Sequence, residues 1–251
     1  MKLHFLLLVL TGLLLTACAA PVRQYAPPVS DQRPLTFEQA KQLLYSDIFY
    51  DHRETLYCCA EFDEQRNVTL PYGFAAATYW KRSGRVEAEH IVPVENFGRT
   101  FTEWREGHPL CVHTDGTPFK GRRCAELSSE TFRNMEGDLH NLYPAIGSVN
   151  AARGNKNFAM LDRDVPASFG TCKMKIEGGK AEPPEPSRGI IARAYLYFDK
   201  RYDRFRMSRQ QRKLMETWDR QYPPDAWECE RNERIRDIQG NGNEFVERVC
   251  R

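Results

Sequence analysis

Eight cysteines, one closing an N-terminal apolar run and seven following it, limit what these 251 residues can fold into more than any other feature. Lys2, the run from Leu3 to Leu15 and the sequence Leu15-Thr16-Ala17-Cys18 read as an export signal rather than as part of the fold. An exported chain meets an oxidising compartment, where cysteines are used as cross-links. Cys111 and Cys124 flank a polar, glycine-containing loop and form the simplest pair, and Cys229 with Cys250 would tie down the C-terminal end. Cys58, Cys59 and Cys172 remain; the downstream number is odd, so a free thiol is expected, and the adjacent Cys58-Cys59 is its expected place. No Cys-x-x-Cys pair points to structural zinc.

A small residue before Cys18 matches the bacterial lipoprotein signal, in which the cysteine becomes the lipidated first residue. The expected organisation is a signal over 1–17, a tether over 18–35 carrying Pro21, Pro27, Pro28 and Pro34, and one folded domain over 36–251. With Ala19 and Ala20 behind the cysteine, a periplasmic protein anchored to the outer membrane is expected in a Gram-negative cell. Cleavage after Ala17, Ala19 or Ala20, giving a soluble periplasmic or secreted protein, stays open. The net charge of +2 gives no overall attraction to nucleic acid or membrane, so any basic surface must be local.

Thr36 and Gln39 form a capping box ahead of apolar residues at helical spacing, predicting a first helix over about 36–50. Residues 55–125 break into short pieces separated by glycines, with few strands. Val86 to Val92 alternates until Pro93 stops it, which puts Glu89 and His90 near a strand end. Short helices are predicted over 129–137 and 147–157, separated by a turn at Asn141-Leu142-Tyr143-Pro144. Three longer helices follow a proline-rich linker in the 180s: Ile190 to Arg204, Ser208 to Gln221, and Ala226 to Ile238 capped by Asp225 and stopped by Gly240. A single α+β domain with a helical C-terminal part is the simplest reading.

Arg85-Val86-Glu87-Ala88-Glu89-His90-Ile91-Val92-Pro93 places a carboxylate beside an imidazole. Phosphodiester hydrolysis needs a group that deprotonates water, a cation at the leaving oxygen and a donor to the phosphate. Histidine suits the first task at neutral pH, and a carboxylate with a neutral amide oxygen suits a hard cation that keeps several waters. A lone Glu-His dipeptide is weak evidence, because most are solvated surface pairs. Around it stand Asp138 to Asn150, with Leu139-His140-Asn141-Leu142-Tyr143-Pro144 and Gly147-Ser148-Val149-Asn150, then Arg153-Gly154-Asn155. No His-Glu-x-x-His points to a zinc peptidase.

With Pro183-Pro184, Arg188 to Tyr195, Trp227 to Arg231 and Ile238 to Asn241, these stretches resemble bacterial endonuclease I, the periplasmic or secreted nucleases of the ββα-metal (His-Me finger) class, over most of residues 36–250. The resemblance implies His90 as general base, Glu89 and Asn150 as ligands of one Mg²⁺ (Mn²⁺ or Ca²⁺ being alternatives), and Arg122 as the contact to the scissile phosphate, with Arg123 open for that place. Glu136 matches an acidic residue that orients groups near the site, and Asn141 either braces the loop of the finger or reaches the metal. Arg85, Arg123 and Arg153, with Lys81, Arg82 and Lys120, are candidate phosphate contacts. His52, His108 and His113 carry no ligand spacing, and His140 reads as a structural hydrogen-bonding group.

The chain departs from the family's pattern at Cys58-Cys59-Ala60, where a Cys-Gly-Cys run is usual, at Ala88 in place of a tryptophan, and at Ala152 in place of an aspartate. The function implied is a sequence-nonspecific endonuclease, monomeric, acting on DNA with RNA left open, and leaving 5′-phosphates. The rival reading is a lipid-anchored module that keeps the fold and only binds nucleic acid or a protein.

Overall fold

A computed structural model describes residues 35–250. The expected signal, Cys18, the tether before Leu35 and Arg251 lie outside the described residues. The Thr36 capping box forms: the hydroxyl accepts from the Gln39 N–H at 3.3 Å, and the Gln39 side chain accepts from the Thr36 N–H at 2.9 Å. It starts α1 (Phe37–Leu43), which widens into a π turn over Leu44–Ile48. Irregular chain then leads to strand β1 (Val86–His90). Four short helices follow, α2 (Val94–Gly98), α3 (Thr102–Arg105), α4 (Arg122–Ser128) and α5 (Glu130–Glu136). Strand β2 (Leu142–Ile146) returns antiparallel to β1 and runs straight into α6 (Gly147–Arg153).

The turn expected at 141–144 is therefore strand. All five residues of β2 are buried, so the sequence shows no polar alternation, and Pro144 reads as a stop. Proline is tolerated because the Pro144 carbonyl accepts from the Leu56 N–H at 2.8 Å. That edge faces away from β1, and no ladder bond is lost where the N–H is missing.

The helix expected over 147–157 ends at Arg153, and Asn157–Phe158 becomes β3, paired in parallel with Lys180 and Ala181. The expected linker in the 180s is instead a hairpin of β4 (Lys175–Glu177) and β5 (Lys180–Glu182). Gly178 and Gly179, at φ 54° and 74°, make its turn in the left-handed conformation that other residues avoid. The C-terminal helices are α7 (Glu185–Arg201), α8 (Arg209–Gln221), α9 (Ala226–Gln239) and α10 (Glu244–Glu247), with Ser208 and Asp225 capping α8 and α9 as the sequence predicts. Among the described residues no helix is long and apolar enough to cross a membrane.

The core gathers around α7, where Ile191, Ala192, Tyr195, Leu196 and Phe198 are all buried. Arg193 is buried with them and binds three neighbours at once: the Glu228 carboxylate of α9, Asp219 of α8 at 3.4 Å, and the Tyr222 carbonyl at 2.7 Å. One cation thus fixes the mutual placement of three helices. From α9, Arg231 donates to the carbonyls of Leu139 and Leu142, both at 2.8 Å, and so holds the start of β2 from behind.

Cys111 bonds Cys124, and Cys229 bonds Cys250, the two pairs expected from the sequence. Cys58 bonds Cys172 across 114 residues, which leaves Cys59 as the free, exposed thiol among the described residues. Closing a loop of that length restricts the unfolded chain and adds stability on the order of 4–5 kcal/mol. Arg193→Ala is expected to destabilise the fold by about 3–5 kcal/mol, because it leaves Glu228 charged and buried without its cation. A urea-unfolding midpoint equal to that of the unsubstituted chain would contradict this account of the core.

Candidate active site

The register of β1 on β2 sets Glu89 opposite Tyr143 and His90 opposite Leu142. Helix α6 starts without a connecting loop, and its first N–H, from Gly147, donates to the Arg85 carbonyl at 3.0 Å. A Cβ at residue 147 would lie 2.5 Å from the Arg82 carbonyl and 2.8 Å from the Glu87 carboxylate. Only glycine lets the helix begin this close to β1, and Asn150 then comes up beside Glu87 one turn later.

His90 is buried, and its Nε2 lies 2.9 Å from the Glu136 carbonyl. A carbonyl can only accept, so Nε2 carries the proton and Nδ1 keeps its lone pair. Burial, and the Arg122 cation after it, push His90 down to about 3, so the ring is neutral across the physiological range.

Glu89 is 3% exposed, and its Oε1 accepts from the Tyr57 hydroxyl at 2.6 Å and from Arg153 at 2.7 Å. Burial raises its pKa, against the pull of Arg153. Among the described residues Oε2 has no donor. A carboxylate desolvated to this degree favours a cation at its open oxygen.

Asn150 donates its amide to Glu87 Oε2 at 3.1 Å, while Arg82 grips the same carboxylate, with Nε 2.9 Å from Oε1. Because Glu87 can only accept, the Asn150 nitrogen is committed to it and Oδ1 is the atom left for a ligand. Glu89 Oε2 and Asn150 Oδ1 are both hard oxygen donors, a set that fits Mg²⁺ or Ca²⁺ retaining most of its water. Among the described residues there is no group of three or more His, Cys, Asp or Glu side chains that would form an all-protein cage for a softer metal.

Arg122 commits Nε to Glu136 at 2.5 Å and to Glu126 at 3.1 Å and stacks over Phe37, leaving its two terminal nitrogens at the mouth of the cleft. Burial pushes the Glu136 carboxyl up and Arg122 pulls it back. The cleft encloses about 740 Å³, and its walls carry Lys41, Arg66, Arg82, Arg85 and Arg122 against Glu87, Glu89 and Glu95. This is the local basic surface that a chain of net charge +2 requires for an anionic ligand.

Glu89, His90, Arg122, Asn150 and Arg85 thus line one cleft, with the Glu136 carbonyl behind it. Arg123 does not join them: it is exposed, stacks on Phe119 and lines a separate groove, so Arg122 is the arginine in position. Asn141 bonds both ways to Val92, accepting from its N–H at 2.7 Å and donating to its carbonyl at 3.0 Å. Both ends of its amide are engaged in bracing the loop after β1.

Arg153 is a correction: expected on the nucleic-acid surface, it is wholly buried. Its guanidinium is consumed by Glu89 and by the carbonyls of His90, Ile91 and Lys156, and no part of it is left for a phosphate. Two residues of the site escaped the sequence reading. Glu87 carried a signal, since residues two apart in a strand share a face and Glu87 must stand beside Glu89. Tyr57 carried none, because only the tertiary fold brings it to Glu89.

The family model described as Endonuclease I matches residues 36–250. A periplasmic deoxyribonuclease of Aeromonas hydrophila is 40% identical over 230 residues, covering 89% of this chain and 90% of its own length. An extracellular deoxyribonuclease of the same organism is 39% identical, covering 94% of this chain and 98% of its own length. Endonuclease-1 of Buchnera aphidicola (subsp. Acyrthosiphon pisum) is 35% identical, covering 85% and 81%.

Burial also pushes His140 down, to about 4, where its Nε2 meets the Asn241 carbonyl at 3.0 Å. Below its unfolded pKa of about 6.5 a solvated imidazole charges, whereas His90 and His140 are expected to stay neutral in the folded protein. Their ring C–H resonances should be flat from about pH 8 to about pH 5 in an NMR titration of the metal-free chain. A midpoint near 6.5 for either ring would contradict the burial described.

Proposed function

The chain belongs to the endonuclease I family, and on that premise we propose that it is an exported, metal-dependent endonuclease that hydrolyses DNA without sequence preference. The observation that carries this reading is the pinning of His90: with Nε2–H on the Glu136 carbonyl, Nδ1 has no partner among the described residues, and His90 lines the same cleft as Glu89. In this reading the β1–β2–α6 unit is the ββα-metal core, with the helices α2–α5 inserted between its strands. Export would follow from the Leu3–Leu15 run, and the lipid anchor from Cys18. Relatives named periplasmic or extracellular support export, and the enzyme is read as monomeric.

His90 Nδ1 takes a proton from water as it attacks the phosphorus, and the Glu136 carbonyl steadies the imidazolium through Nε2–H. Glu89 Oε2 and Asn150 Oδ1 would hold a divalent ion. Once bound, a hard cation such as Mg²⁺ polarises the phosphate and neutralises charge on the departing 3′ oxygen. Glu87, itself gripped by Arg82, takes the Asn150 amide nitrogen, so that Oδ1 would be the atom offered to a cation. The terminal nitrogens of Arg122 bind non-bridging phosphate oxygens as their charge grows. Attack on this line leaves a 3′ hydroxyl on one fragment and a 5′-phosphate on the other. Recognition through phosphates reads no base, which accounts for the lack of sequence preference.

Supercoiled plasmid incubated with the purified chain should be relaxed and then degraded with Mg²⁺ and left intact with EDTA. His90→Ala should lower the rate by about 10²–10⁴-fold; undiminished metal-dependent cleavage by that variant would refute the mechanism. Glu87→Ala is expected to raise the Mg²⁺ needed for half-maximal activity by about 10–100-fold, with calorimetric Mg²⁺ affinity falling in parallel. Unchanged affinity would remove the orienting role given to Glu87.

A further inference from the structure

Beside the cleft, but not used by the chemistry above, lies a pair of aromatic rings. Tyr79 and Trp80 are 53% and 66% exposed, and neither ring packs on another aromatic ring among the described residues. Single exposed apolar side chains are common on protein surfaces. Two adjacent aromatic rings held outward by a rigid turn are not, since each would gain by packing inward. The turn here is rigid. Trp80–Arg82 forms one 3₁₀ turn, entered through Tyr79 in the left-handed conformation at φ 55°.

The far end of that turn is fixed to the site. Arg82 is locked onto Glu87, and the Arg82 carbonyl sits where a Cβ on Gly147 would lie. The next residue, Ser83, donates its buried hydroxyl to that of Ser148 at 2.7 Å. Both Gly147 and Ser148 belong to the helix that carries Asn150. The aromatic pair is therefore held in register with the catalytic cleft through α6, not carried on an independent loop.

The charges around the pair narrow what it can receive. Lys81 lies over the Trp80 ring at 5.7 Å, and Lys81 and Arg85 are exposed on either side of the Arg82–Glu87 pair. Aromatic faces next to exposed cations suit a chain that alternates flat apolar rings with anionic links, which is an unpaired nucleic-acid strand. In a duplex the bases are already stacked on one another and offer no free face. We infer that Tyr79 and Trp80 form a stacking platform for unpaired nucleobases next to the scissile phosphate, with Lys81 and Arg85 holding the adjoining phosphates. The inference rests on the nuclease reading and deepens it, because it adds a preference for single-stranded or locally opened substrate.

The test uses the full chain in EDTA, with a labelled oligothymidylate carrying phosphorothioate links, and the duplex that the oligothymidylate forms with oligodeoxyadenylate. Tryptophan emission should be quenched by the single strand, and Trp80→Leu should abolish most of the quenching. Anisotropy should show Trp80→Leu weakening single-strand binding by about tenfold while duplex binding changes less than about twofold. Tyr79→Asn, which suits the left-handed backbone, should act in the same direction. Unchanged melting temperatures verify that both variants fold.

Equal weakening for single strand and duplex, or none for either, overturns the platform. So does quenching by phosphatidylcholine vesicles in place of the oligonucleotide, which would make the pair a lipid contact. Plasmid cleavage by the unsubstituted chain separates the two levels. If it cleaves and the Trp80 variant binds normally, the platform alone fails; if it does not cleave with Mg²⁺, the nuclease reading has failed first.

Discussion

One buried guanidinium holds the candidate site together. Arg153, at the end of α6, is wholly excluded from solvent and donates to Glu89, to the carbonyls of His90, Ile91 and Lys156, and at 3.4 Å to the Tyr195 hydroxyl of α7. A charge in such a place is stable only when it is paired and fully hydrogen-bonded. Arg153 meets that requirement by collecting oxygens from the end of β1, the end of α6 and the middle of α7. The three elements that carry or back the chemistry cannot shift relative to one another without exposing or orphaning this cation. Glu89 gains in return: Arg153 offsets part of the burial that raises its pKa and leaves Oε2 open to the cleft.

Further supports act on the same residues from outside. Tyr57, the second donor to Glu89, directly precedes Cys58, whose disulfide to Cys172 ties that segment to the chain just before β4. Arg122 stands two residues before Cys124, whose bond to Cys111 fastens the start of α4. Arg231 holds β2 by its first carbonyl, and Gly147 lets α6 settle against β1. An exported protein has no reducing environment to contend with, so disulfides can hold functional side chains as firmly as a larger core would.

How much of this was legible in the sequence depended on the range of each interaction. The helix caps at Thr36, Ser208 and Asp225 are local contacts, and the structure has all three. The Cys111–Cys124 and Cys229–Cys250 pairs span short stretches and were also readable. Strand β2 was not, because a strand buried on both faces lacks alternation and a central proline argues against it. Arg153 was misassigned for a related reason: an arginine beside a glycine looks exposed, and only the fold reveals five buried acceptors. Cys58–Cys172 and Tyr57–Glu89 join residues remote in sequence, with nothing local to announce them. Glu87 was readable from strand periodicity alone, and its grip on Asn150 ties the strand motif to the helix motif.

Water activation at this site would turn on the protonation of a single imidazole, whose Nε2 is held by the Glu136 carbonyl. Long-range ¹H–¹⁵N correlation of the histidine rings in the folded chain near pH 7 reads that state directly. The expected result for His90 is a neutral ring protonated at Nε2, with Nδ1 showing the shift of an unprotonated nitrogen. A proton on Nδ1, or a charged ring at that pH, would mean that His90 is not set up to take a proton from water.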